Sequence, residues 1–246
     1  MPPARNIWRA AIVLSLALIA TSCDAGEDPV AVPKPSPTAT QRSMQGINGP
    51  LEPGAWTVPM WGKDPEVLPR AVVEVPEGYG SPGGWVVDRG ADGDPENHGS
   101  VSFWTVQGVV RDPCEGELAV DPGPTVRDLA RALHAQRRMV TTLPQRVTVD
   151  GHVGLYLELR FPTDDRRLIG CSSSEYAVWH TDGHNSYGSD IAGTVSRLWI
   201  VDVDGTRVVM VADTTPREDA AATAEVLGIA ASAHFVAPLE PGRGDG

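Results

Sequence analysis

The sequence predicts an α+β body: a largely antiparallel β-sheet covered by two main helices, stapled by one disulfide and preceded by an export signal and a tether. Three observations carry this. Arg197 to Asp213, RLWIVDVDGTRVVMVAD, reads as two apolar strands around Asp204-Gly205, a pair that supplies the positive φ needed at both central positions of a type I′ hairpin. Two stretches, Thr125 to Met139 and one opening at Thr215-Pro216, carry helix-start signals. Short β-rich runs bounded by Gly, Pro and Asp fill most of the rest, in a chain with 26 Gly and 22 Pro among 246 residues.

The elements follow in order. Residues 1–22 have Arg5 and Arg9 ahead of an apolar run, Ala10 to Ala20. Such a run spans about 16 Å as a helix, too short for a ~30 Å hydrocarbon core and suited to a signal-peptide core. It ends in Ala20-Thr21-Ser22-Cys23, which resembles a bacterial lipobox whose cysteine is acylated and becomes the mature N-terminus. Ala20 departs from the usual Leu, and Ala-Thr-Ser would also suit ordinary signal peptidase. Lipidation at Cys23 places the protein outside the cytoplasm, on the outer face of the cytoplasmic membrane. Residues 23–55 are rich in Pro, Ser, Thr and Gly without helical period, and read as a flexible tether.

Residues 56–240 form the expected single globular domain, with a polar tail over 241–246. Strands are expected at Arg70–Val75, Trp85–Val87, Val101–Val110, Val147–Val149 with Val153–Phe161 around Asp150-Gly151, and Tyr176–His180. The helix Thr125–Met139 has Thr125 as N-cap and Val126, Leu129, Ala130 and Leu133 on one face. In the organising hairpin a two-residue loop sets Val203 opposite Thr206, Asp202 opposite Arg207, Val201 opposite Val208 and Trp199 opposite Met210. One face is then the core face, and Asp202 and Arg207 pair across the other. The last helix opens with Thr215 and Glu218 at capping-box spacing and Pro216 at its first position. Ala220, Ala224, Leu227 and Ala231 are its sheet-facing stripe, and His234–Val236 closes the fold.

Cysteine arithmetic bears on compartment. Of three cysteines, Cys23 is assigned to the lipid, leaving Cys114 and Cys171 to pair in an oxidising compartment. Charge excludes one class of partner. The formal charge is -12, and removing residues 1–22, which contribute two of the 20 basic and none of the 32 acidic residues, leaves -14. Nucleic-acid binding needs a basic footprint.

From about Arg70 to Val236 the chain resembles the LpqN-type lipoproteins of the actinobacterial envelope and, more distantly, the Mog1/PsbP-like fold. The matching residues are Asp112-Pro113-Cys114 and the helix after it, Thr148-Val149-Asp150-Gly151, Cys171, Leu198 to Gly205, and a final helix ending near Ala231-Ser232. The resemblance implies a binding or accessory domain and brings no catalytic residues with it.

Four segments offer chemistry. His180, Asp182 and His184 lie within one loop and are the weak candidates for a metal site, although the HExxH helical context is missing. The acidic loop Asp88, Asp92, Asp94, Glu96 lacks EF-hand spacing because Pro95 interrupts it. Ser172 to Ser174 follow Cys171 without the G-x-S-x-G elbow of a hydrolase. Arg127, Arg131, His134 and Arg138 recur at steps of four, three and four and offer a basic stripe to an anionic partner. The reading is a non-enzymatic, envelope-anchored binding or accessory domain with no cofactor. Its partners are the membrane through the Cys23 lipid and a cell-wall polymer or envelope protein. The alternative is a metal-dependent extracytoplasmic enzyme using His180, Asp182 and His184.

Overall fold

A computed structural model describes residues 42–238 except 63, 91–98, 116–117, 165–170, 172–175 and 182–184. The export segment, Cys23, most of the tether, Asp92, Asp94, Glu96, Ser172 to Ser174, Asp182, His184 and the 241–246 tail lie outside the described residues. The described part belongs to one compact unit, Ala39–Gly246.

The strands are β1 (Arg42–Ser43), β2 (Gly49–Pro50), β3 (Gly54–Val58), β4 (Arg70–Val75), β5 (Gly80–Ser81), β6 (Val86–Asp88), β7 (Ser100–Trp104) and β8 (Gly108–Val109). After helix α1 (Val126–His134) come β9 (Val140–Thr141), β10 (Gln145–Val149), β11 (His152–Arg160), β12 (Tyr176–His180), β13 (Ser186–Ser189), β14 (Val195–Val203) and β15 (Thr206–Thr214). Helix α2 (Ala220–Ala231) and β16 (His234–Val236) finish the body. The central nine-stranded sheet runs β10-β11-β14-β15-β7-β6-β5-β2, with β9 beside β11; a four-stranded sheet β1-β3-β4-β16 and a three-stranded sheet β13-β12-β8 accompany it. The class is the expected one, α+β and mostly antiparallel.

The hairpin at its centre has the expected register, Val203 opposite Thr206 through Trp199 opposite Met210. Asp204 and Gly205 take φ of 51° and 88°, the left-handed values the turn demands. Two findings correct the expectation. The hairpin is buried on both faces: Val201, Val203, Val208 and Met210 join the core under α2, while Leu198, Ile200, Val209 and Val211 join a second core with α1 and the three-stranded sheet. A strand central in its sheet and covered on both sides loses the polar alternation that marks a half-exposed one. Asp202 and Arg207 are in register but do not pair. Asp202 Oδ1 accepts the Gly205 N–H at 2.7 Å, and the Arg207 guanidinium donates to the carbonyls of Gly123, Thr125 and Val106.

Helix α1 starts where expected. Thr125 accepts from Asp128 N, and the Asp128 side chain returns to the Thr125 N–H, a reciprocal cap worth about 1 kcal/mol. It stops five residues short of Met139. Gln136, 6% exposed, donates from Nε2 to Val110 O and Val178 O at 2.7 and 2.9 Å, tying the chain to β12 and the loop after β8. Arg138 then turns through a φ of 61°. Helix α2 begins later than Thr215. Its N-cap is Asp219, which accepts from Ala222 N, and its buried residues are Ala222, Val226, Ile229 and Ala230. Ala220, Ala224 and Ala231 are exposed. The expected Val101–Val110 strand divides into β7 and β8, which belong to different sheets.

The body begins before residue 56. Met44 is fully buried and Leu51 is 5% exposed, and β1 runs parallel to β3. Three spaced apolar residues, Met44, Ile47 and Leu51, are enough to seat a Pro/Gly-rich strap on the core. Cys114 and Cys171 are joined as a disulfide, with Cα atoms 4.5 Å apart.

Candidate functional site

His180 ends β12 opposite Ser186, and its carbonyl accepts the Gln107 N–H. Asp182 and His184 lie outside the described residues, and among the described residues no group of three His, Cys, Asp or Glu is gathered for a metal ion. Asp88, the first of the acidic loop, is 8% exposed and caps its own turn by accepting from Gly90 N at 2.8 Å.

The four basic residues are not one stripe. Arg127, Arg131 and His134 are exposed along α1. Arg131 lies 3.4 Å from Asp128, and His134 Nδ1 is 2.7 Å from Thr141 Oγ1. Arg138 lies beyond the helix, 2.6 Å from Glu115 and 3.3 Å from Asp112. Its hydrogen bond to Glu115 raises its pKa.

The end of α1 builds something else. A cleft of about 310 Å³ opens between the last turns of α1, β8 and residues 120–122. Val109, Val120, Pro122, Ala132 and Ala135 make its apolar lining, with Arg111, Arg137 and Asp121 also lining it. The walls are held firmly. Val109 and Val120 exchange two backbone hydrogen bonds of 2.9 Å, and Arg137 N–H donates to Arg111 O at 2.9 Å. That last bond brings the two arginines together although 26 positions separate them. Sequence reasoning missed both. Arg111 stands beside the Asp-Pro-Cys turn and Arg137 beside Arg138, and no local period links them.

A polar row crosses the central sheet at its other end. Asp88, Ser100, Asp213 and Ser196 stand opposite one another on β6, β7, β15 and β14. Tyr187 of β13 covers the row: its hydroxyl donates to Asp213 Oδ1 at 2.7 Å and shares a 2.5 Å contact with Ser196 Oγ. Burial raises Asp213 to about 6, against the lowering effect of the Ser196 and Tyr187 hydrogen bonds, with Asp88 adding to the rise. Burial likewise drives the Tyr187 phenol well above its ordinary value. The ring of Tyr187 stacks on Trp179 at 4.1 Å and meets Trp104 at 5.5 Å, and Trp104 in turn contacts Trp61 and Trp85. This aromatic column fills the second core and explains why one buried hydroxyl can be aimed so firmly.

Glu218 is the second carboxyl whose pKa is raised. Both its oxygens are buried. Desolvation raises it to about 7, opposed chiefly by Arg89, which pairs with Glu225 at 3.0 Å. Asp213 and Glu218 thus exchange protons at mildly acidic and near-neutral pH respectively.

No family model matches the chain, and no curated protein matches it. Among solved structures, the chain is similar to the solution structure of cyanobacterial PsbP (CyanoP) from Synechocystis sp., at 13% identity over 76% of this chain and 95% of that one, with a TM-score of 0.32. A superposition this loose fixes neither a family nor a ligand.

Proposed function

We propose that the protein is an exported lipoprotein of the LpqN-type kind whose body works by binding, held outside the cytoplasmic membrane by an acylated Cys23. The supporting observation is the Cys114–Cys171 disulfide. A bridge of this kind belongs to an oxidising compartment, and it takes up two of the three cysteines. The remaining one closes the apolar export run. The body then acts by contact, with the basic flank of α1 and the neighbouring cleft as its exposed chemistry.

Growth with an alkyne-bearing palmitate, followed by dye coupling, tests the anchor. The full chain should take up label and sediment with membranes, and Cys23→Ala should lose both properties. An unlabelled wild-type protein released to the medium would sink the anchored reading. Charge reversal at Arg127 and Arg131 should weaken cross-links to envelope neighbours; unchanged cross-links assign that flank to solvent.

A further inference from the structure

We propose that the cleft at the end of α1 binds a small anionic amphiphile, a carboxylate or phosphate monoester carrying a short apolar group, with Arg111 and Arg137 gripping the anion. The proposal rests on the binding-module reading and names the ligand class of one of its surfaces.

Two features select this ligand. The first is charge left over. In a chain of charge -12, Arg89, Arg131, Arg138 and Arg160 all lie beside carboxylates, whereas neither Arg111 nor Arg137 forms an ion pair with a described residue. Both are exposed and both line the cleft, and the bond from Arg137 N to Arg111 O brings their backbones side by side. Paired guanidinium forks suit a planar carboxylate or a phosphate, which they bind bidentately. The second is the lining. Val109, Val120, Pro122, Ala132 and Ala135 offer a floor without a polar side chain, and about 310 Å³ is at the small end of ligand pockets. A bare inorganic anion would leave that floor wet, and a neutral apolar molecule would leave the arginines unused.

Asp121 sets the orientation. It lines the cleft and its Oδ1 is already occupied by the Gly123 N–H at 2.7 Å. Its charge disfavours an anion on that side, so the head lies toward the arginines and the apolar group toward Pro122 and Val120. The bonds between Val109 and Val120 keep the floor formed without ligand, so little ordering is needed on binding.

The test uses the full chain in phosphatidylcholine nanodiscs, with empty discs as blank, titrated calorimetrically with hexyl phosphate, hexanoate, inorganic phosphate and hexanol. Saturable one-to-one binding of hexyl phosphate or hexanoate is expected, at least tenfold tighter than inorganic phosphate or hexanol. Arg111→Gln and Arg137→Gln should each weaken it about tenfold, and Ala135→Leu, at an exposed position, should block it by filling the floor. The far-ultraviolet spectrum of each variant confirms folding. No saturation, equal binding of inorganic phosphate or of hexanol, or indifference to both arginine substitutions overturns the assignment. The palmitate labelling of Cys23 is unaffected by any of these results, so ligand and anchor fail separately.

Discussion

The Tyr187 hydroxyl donates a 2.7 Å hydrogen bond to Asp213 Oδ1 beneath the aromatic column. The pair joins the three-stranded sheet to the central one, with Ser196 as the third member. It is a buried acid satisfied by neutral donors, with the guanidinium of Arg197 directed to Thr214 and Glu158 instead. That arrangement favours a proton on Asp213 at mildly acidic pH.

Stability should therefore depend on pH through this residue with an unusual sign. Burial raises Asp213 from 3.8 to about 6. Between those values the folded chain holds a proton that the unfolded chain has released, so Asp213's contribution falls as pH rises through the window. Asp213→Asn removes the ionisation. It should match wild type near pH 4 and exceed it above pH 6 by as much as about 3 kcal/mol. Urea unfolding at pH 4 and 7.5 checks this, and an equal difference at both pH values contradicts it.

Glu218 should titrate near neutrality. Its desolvated oxygens raise it to about 7 while Arg89 pulls the other way. Glu225 shares Arg89, so Glu225→Gln should leave more of that charge to Glu218 and lower its midpoint. Carbon-13 NMR of the side-chain carboxyl reads both quantities. A midpoint at the ordinary value for glutamate would show the site to be wetter than the structure has it.

How much of this was legible depended on distance along the chain. The hairpin register followed from Asp204-Gly205 and the start of α1 from Thr125, because both signals act within four residues. The start of α2 did not, since Thr215, Pro216 and Glu218 imitate a capping box, whereas the helix is capped one turn later by the Asp219 side chain alone. Its buried face was equally hidden: a helix rich in Ala presents apolar residues on every side, so periodicity cannot choose among them. The row from Asp88 to Ser196 depends on the strand order β6-β7-β15-β14 with β13 above it. The cleft depends on Arg137 reaching back to Arg111. Neither juxtaposition has a local pattern to read.

The disulfide should matter thermodynamically. It closes a separation of 57 residues, for which the chain-entropy model gives about 4 kcal/mol. Cys114→Ser with Cys171→Ser should lower the urea midpoint accordingly, and reductant should move wild type to the same place. A midpoint unmoved by reductant would mean that the bridge is not formed in the folded protein.

Arg207 and Asp202 provide the sharpest contrast between register and interaction. They stand opposite each other on β14 and β15, where opposite charges usually attract by about 0.2–1 kcal/mol. Arg207 instead donates to the Val106 carbonyl at 2.9 Å, to Thr125 at 3.2 Å and to Gly123. It thereby ties the hairpin to the segment that caps α1, and burial lowers its pKa. Lysine has no planar fork for several carbonyls, so Arg207→Lys should cost about 2 kcal/mol. Asp202→Ala should lose only the turn contact to Gly205, on the order of 1 kcal/mol. In a double-mutant cycle by urea unfolding, the two costs should add to within about 0.5 kcal/mol. A coupling of 1 kcal/mol or more would mean that the two side chains pair in solution after all, and that the hold of Arg207 on the cap of α1 is weaker than the carbonyl contacts require.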